Sequence, residues 1–193
     1  ALRTSENKKL ETAKNAIHFA RKTLVQLKEI DFAQIPLRIC HNDTKLNNIL
    51  FSKISGKALC LIDLDTLMKG YFFYDFGDAV RTIANTAPED ERDNNKITFN
   101  KSLFSAFIKG LADNGLFLLK EELDSLCFGA VFMPFIHGLR ALTDYLNNDR
   151  YYKTTYENQN LDRCSSLFNF TQKALDNVPF MEKTIQEYFP SNG

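Results

Sequence analysis

The segment His41-Asn42-Asp43-Thr44-Lys45-Leu46-Asn47-Asn48 sets an imidazole, a carboxylate, an amine and three amides between the apolar runs "LRIC" and "NILF". Polar groups this dense beside core-type residues are costly to bury unless each finds a partner or a task. Asp43 and Asn48 stand five residues apart across a tight loop, and "LIDLDT" brings Asp63 twenty residues after Asp43, with Asp65 close behind. If that run is a strand, residues 63 and 65 point to one side, and Ile62 and Leu64 to the other. Two carboxylates on one face call for a cation or for hydrogen-bond donors. With the side-chain oxygen of Asn48 they make the hard-oxygen set that suits Mg²⁺. Asp43 is then left to orient a hydroxyl and take its proton. Plainer roles exist for each: an Asx turn for Asp43 and a turn cap for Asn48. For Asp65 a second metal ligand, a substrate contact and a hydrogen-bonded core carboxylate all stay open.

These residues need elements to hold them. Residues from about Ser5 to Ile30 place Leu10, Ala13, Ile17, Ala20, Leu24 and Leu27 on one stripe of a long amphipathic helix, with Lys8, Lys9, Lys14, Lys22 and Lys28 opposite. Pro36 closes it. "LRIC", "NILF" and "ALCLIDLD" read as short strands, the last two joined by a turn at Ser55-Gly56, and "NILF" is expected to anchor the polar loop in the core. Beyond Gly70 the pattern is helical. A helix opens with Asp75 as N-cap, and the acidic "PEDERD" that follows it reads as a solvent-facing loop. Further helices end at Asn114-Gly115, run from about Lys120 to Asn147 with a kink at Pro134, and cover Leu161 to Asn177 and Phe180 to Tyr188. The fold class is α+β, mostly helical, in one domain over 1–193: a leading helix (1–36), the polar loop and hairpin (37–70) and a helical subdomain (71–193).

Composition sets the outer bounds. Lys+Arg and Asp+Glu number 24 each, so bulk electrostatic binding to nucleic acid or to an anionic membrane is not expected. The longest uncharged apolar run, Ser125 to Leu139, is short for a membrane span and contains Pro134 and His137. No signal-peptide pattern is visible, and Cys40, Cys60, Cys127 and Cys164 are far apart among apolar neighbours, which reads as buried, reduced thiols in a cytoplasmic protein.

The Asp43-to-Asn48 step is also that of the protein-kinase catalytic loop H-R-D-x-x-x-x-N, which a metal-binding Asp follows on a hairpin strand. Here Asn42 stands in place of the Arg and "IDLD" in place of D-F-G. "HNDTKLNN" followed by "IDLDT" and "YDFGDAVR" resembles the aminoglycoside phosphotransferase and choline kinase superfamily. Within it, "HNDTKLNNILF", "CLIDLDTLMKG", "YDFGDAVR" and "LRALTDYLNNDRYY" look most like the N-acetylhexosamine 1-kinases, in order from residue 41 to about 152.

The resemblance implies an ATP- and Mg²⁺-dependent kinase acting on a small-molecule hydroxyl, an amino sugar above all, with Asp43 as base and Asn48 and Asp63 as metal ligands. It makes His41 scaffold and Asp75 a structural brace on the backbone around His41, although Asp75-Phe76-Gly77 spells DFG. Lys45 is either a phosphate contact or a solvent-facing loop lysine. Arg140 and Asp144 are four apart on one helix face, which alone predicts an ordinary ion pair; the resemblance puts them and a tyrosine, Tyr151 or Tyr152, near the sugar. Such kinases also need a nucleotide lobe with a glycine-rich loop and a strand lysine. With eight Gly and no G-x-G-x-x-G run, the chain reads as the C-terminal lobe alone, folded but nearly inactive by itself. A kinase of another alcohol, aminoglycoside or choline-like, and a non-catalytic kinase-like binding module are the alternatives.

Overall fold

The computed structural model describes residues 2–27 and 31–190. The expected places of Lys28 and Ile30 lie outside them. The leading segment forms two helices, α1 (Leu2–Thr12) and α2 (Lys14–Gln26), rather than one. They meet at Ala13 (φ −88°, ψ 0°), where the bonds Ala13 N–H to Lys9 O and Ile17 N–H to Ala13 O carry the ladder across the joint. Of the expected stripe, Ala13 and Ala20 are buried, Ile17 is half-buried, and Leu10 and Leu24 are exposed. The contact made with the later helices is narrow, and small side chains fill it. Phe19 closes it, its ring 4.8 Å from that of Phe168.

The middle of the chain is a doubly tied excursion. Strand β1 (Arg38–Cys40) pairs antiparallel with β4 (Met68–Gly70), Arg38 opposite Gly70 and Cys40 opposite Met68. Between them, β2 (Ile49–Phe51) and β3 (Ala58–Leu61) form a hairpin that turns at Gly56, whose φ of +67° is easy only for glycine. Everything from His41 to Leu67 is therefore pinned at its base by one pair of three-residue strands. The strand at 68–70 is one the sequence pattern does not announce.

Two expectations need correcting here. β3 ends at Leu61, and Asp63 sits in the left-handed region (φ 65°, ψ 51°) ahead of a 3₁₀ turn over Leu64–Thr66. Residues 63 and 65 therefore owe nothing to strand alternation; Asp is among the few residue types that tolerate this conformation. Nor does "NILF" reach the core: Ile49 is half-buried, and Leu50 and Phe51 are exposed. Among the described residues no helix is laid across this two-stranded hairpin, which therefore has no core to offer.

Helix α3 (Phe72–Ile83) begins with Tyr71 as N-cap, so Asp75 lies inside its first turn rather than capping it. Helices α4 (Lys101–Asp113), α5 (Lys120–Leu146), α6 (Gln159–Asp176) and α7 (Val178–Tyr188) complete the chain. The Asn100 side chain caps α4 by accepting from Leu103 N–H at 3.0 Å. By length and composition alone α5 could cross a membrane, yet half of its most apolar window is buried inside the protein. It serves two cores: Leu126, Ala130 and Val131 pack with Phe76, Phe104 and Phe170, while Phe135, Ala141 and Leu142 pack with Phe168 and Ala20. It also crosses α3 at backbone contact. A Cβ on Gly77 would lie 2.1 Å from the carbonyl oxygen of Gly129, and one on Gly129 would lie 2.2 Å from that of Phe73.

The acidic loop is not simply solvated. Glu89 pairs with Arg81, and Asp90 accepts from Tyr156 Oη at 3.1 Å and Gln159 Nε2 at 2.9 Å, which ties the loop to α3 and α6.

Candidate active site

The polar loop is held from below by α3. Asp75 accepts the backbone N–H of His41 on Oδ2 at 2.7 Å and that of Asn42 on Oδ1 at 2.6 Å, and its own carbonyl accepts the Thr44 hydroxyl at 2.5 Å. Burial pushes the Asp75 carboxyl upward, against the pull of those two N–H groups. Two turns later, Thr82 Oγ1 accepts from Leu46 N–H at 2.9 Å. His41 is buried, with Nε2 3.0 Å from the carbonyl oxygen of Ile62. A carbonyl only accepts, so Nε2 donates to it, and the buried Nδ1 meets no partner among the described residues. Asn42, with φ 62°, donates Nδ2 to the carbonyls of Cys40 and Thr66 at 3.1 Å each, stitching the start of the loop to the approach of β4.

Within this frame three predicted site residues converge. Asn48, buried, donates Nδ2 at 2.8 Å to both the carbonyl and Oδ2 of Asp43. Lys45 Nζ lies 2.6 Å from the same Oδ2. The hydrogen bond to Asp43 raises the lysine pKa, helped by the charges of Asp43, Asp63 and Asp78 and opposed by burial. With Oδ2 doubly held, Oδ1 of Asp43 is the oxygen left to meet a ligand. Asp63 and Asp65 are solvent-exposed and close enough to share a proton; that hydrogen bond and the charge of Asp65 raise the Asp63 carboxyl, and Asp43 adds to the effect. Among the described residues no three Asp, Glu, His or Cys groups form a metal cluster. The oxygens on offer are two carboxylates and one amide. That set matches how Mg²⁺ is usually held in phosphoryl-transfer sites, by one or two carboxylates with the substrate phosphates and water.

A tight loop carrying a carboxylate, a lysine and an amide, followed by an acidic turn, is the layout of a phosphotransferase, and residues 2–101, just over half of the chain, match the model of the phosphotransferase enzyme family. The chain belongs to that family. The match covers the phosphotransferase loop, the hairpin, the acidic turn and α3, and it ends at the start of α4. Family membership makes this a phosphotransferase of the small-molecule kinase type.

The residues assigned to the acceptor lie beyond the matched segment. Arg140 is exposed on α5, its guanidinium 5.8 Å from the centre of the Tyr151 ring, and Tyr151 in turn packs edge-on against Tyr152. With Ile136, Leu139 and Thr143 they line a shallow cleft of about 350 Å³. Asp144 needs a different account. It makes no ion pair with Arg140. Its Oδ1 accepts the N–H groups of Arg150 and Tyr151 at 2.9 and 2.8 Å, and its Oδ2 accepts Tyr152 N–H and Asn160 Nδ2 at 2.9 Å each. Four donors fill the four lone-pair positions of a carboxylate, so Asp144 folds the 150–152 turn and presents the tyrosines rather than touching a ligand.

Sequence reasoning passed over Asn42, Thr44 and Thr82, whose small polar side chains signal nothing until the pairing of β1 with β4 and the place of α3 are known. It also left aside Asp78 and Arg81. Their signal was available: two opposite charges three residues apart on an otherwise apolar helix face.

Proposed function

We propose that the chain supplies the C-terminal, catalytic half of an ATP- and Mg²⁺-dependent kinase that phosphorylates the anomeric hydroxyl of an N-acetylhexosamine. The observation that carries the reading is the Asp43 carboxylate, fixed by Asn48 and Lys45 through one oxygen and open at the other. In this reading Asp43 Oδ1 accepts the hydrogen bond of the attacking hydroxyl, aims it at the γ-phosphorus and receives its proton as the new O–P bond forms and the bond to the leaving ADP breaks. Lys45 faces the transferred phosphoryl group and offsets its charge. Asn48 Oδ1, Asp63 and Asp65 are the groups that would hold the metal, whose charge would offset that of the nucleotide phosphates. Asp75 and His41 keep the loop in register and touch neither reactant. Arg140 and Tyr152 contact the sugar, a rigid fork and an aromatic face suiting its hydroxyl and amide groups. Cysteines held apart from one another suit work in the cytoplasm.

The test is phosphoryl transfer by the full-length protein to a panel of N-acetylhexosamines, other sugars, aminoglycosides and choline. Transfer to N-acetylglucosamine or N-acetylgalactosamine, falling about 10²- to 10⁴-fold in Asp43→Asn, is expected. Transfer only to another member of the panel overturns the sugar assignment, and no Asp43-dependent product from any acceptor overturns the kinase reading.

A further inference from the structure

Beneath the loop lies a second charged assembly. Asp78 is buried, and its Oδ1 accepts Nε–H and Nη2–H of Arg81 at 2.9 and 2.7 Å. The same oxygen lies 3.3 Å from Nε2 of His137, on the facing side of α5. Burial opposes the charge of Asp78, but the hydrogen bond from His137 and the charge of Arg81 prevail and lower its pKa to about 2. An ionised carboxylate can only accept, so Nε2 donates to Asp78, and Nδ1 is the ring nitrogen left for another partner. Exposure separates the partners. The side chains of Asp78 and Arg81 are 2% and 3% exposed, whereas that of His137 is 21% exposed. The ring is thus gripped from inside and shows one edge to solvent.

Its position is what matters. His137, Arg140 and Asp144 are spaced by three and four residues along α5, so they follow one stripe. The far end of that stripe is the Arg140–Tyr152 cleft, whose lining begins at Ile136, next to His137. At the near end, Asp78 is close enough for its charge to act on Lys45, the partner of Asp43. His137 therefore lies on the stripe that leads to the cleft, and its partner Asp78 lies within electrostatic reach of Lys45.

We propose that His137 is an acceptor-recognition residue: oriented through Nε2 by Asp78, its Nδ1 accepts a hydroxyl or amide hydrogen of a polyhydroxylated acceptor lying between Asp43 and Arg140. The inference rests on the kinase reading, so its test has an arm that needs no turnover. In the full-length protein, His137→Ala raises the KM for N-acetylglucosamine about tenfold, while the KM for ATP and kcat stay within about twofold. His137→Gln, whose side-chain oxygen can accept a hydrogen bond, recovers most of the loss. In parallel, the imidazole ¹⁵N resonances are followed as N-acetylglucosamine is added, and a shift at Nδ1 of His137 is expected. An unchanged acceptor KM in His137→Ala, or a loss shared by all parameters that Gln does not rescue, overturns the inference and leaves the kinase reading standing. A Nδ1 shift in a protein that phosphorylates nothing keeps the inference and sinks that reading. Neither turnover nor shift sinks both.

Discussion

The carboxylate of Asp78 shows how a buried charge is kept. In the unfolded chain it titrates near the usual 3.8, and in the fold it is lowered to about 2. Between those values the unfolded chain binds more protons than the folded one. Its contribution to stability is therefore complete above about pH 4 and drains away as pH falls toward 2, by about 2 kcal/mol in all. Urea unfolding midpoints measured across this range should fall more steeply for the natural chain than for Asp78→Asn. The variant should also be weaker at pH 7, because Arg81 loses its counter-charge. At this scale the sequence was most legible where spacing is local. Asp43, Lys45 and Asn48 share one loop and do come together, as five residues of tight turn allow. The proximity of Asp63 and Asp65 was legible too, but not its cause, which is a left-handed residue and a 3₁₀ turn rather than strand parity. The four-donor engagement of Asp144 was hidden because three of its partners are backbone groups of a turn that leaves no side-chain signature.

Among the elements, the crossing of α3 and α5 sets the height of the loop. Asp75 can brace His41 and Asn42 only while α3 lies hard against α5, and Gly77 and Gly129 make that approach possible. The glycine of the DFG triplet thus serves helix packing. Gly77→Ala would drive a methyl group into backbone, which has no rotamer to change. Helix propensity alone would favour alanine by about 1 kcal/mol, but the overlap should outweigh it at a net cost of about 1–3 kcal/mol, or a Tm lower by roughly 2–12 °C. Gly110→Ala, where an added Cβ meets nothing within 4 Å, is the control. It should raise Tm slightly, and a calorimetric scan of the two variants separates the effects. The helices α4 to α7 could be read from apolar periodicity because each buries one face over several turns. β4 could not, since three residues carry no periodicity and their partner is thirty positions away, Arg38 against Gly70 being thirty-two apart.

On the scale of the whole molecule, the helical body and the 38–70 excursion follow different rules. The body buries phenylalanines in two cores along α5, whereas the excursion leaves Ile39, Ile54, Leu59, Leu61 and Met68 exposed, Ile54 fully so. Composition cannot distinguish these two fates for the same residue types; the difference is that no second layer covers the hairpin among the described residues. The mostly helical α+β class was legible because helical periodicity dominates the chain after Gly70.

The uncovered hairpin carries a chemical convenience. Of the four cysteines, Cys40, Cys127 and Cys164 are buried, and burial raises the pKa of Cys40 to about 11 and that of Cys164 further still. Cys60, expected to be buried like the rest, stands exposed on β3, two residues from the acidic turn. A thiol reagent should modify one cysteine per native chain and four after denaturation, as counted by mass spectrometry. A fluorophore placed there without any mutagenesis would report, in real time, whatever Mg²⁺ and nucleotide do to the neighbouring turn.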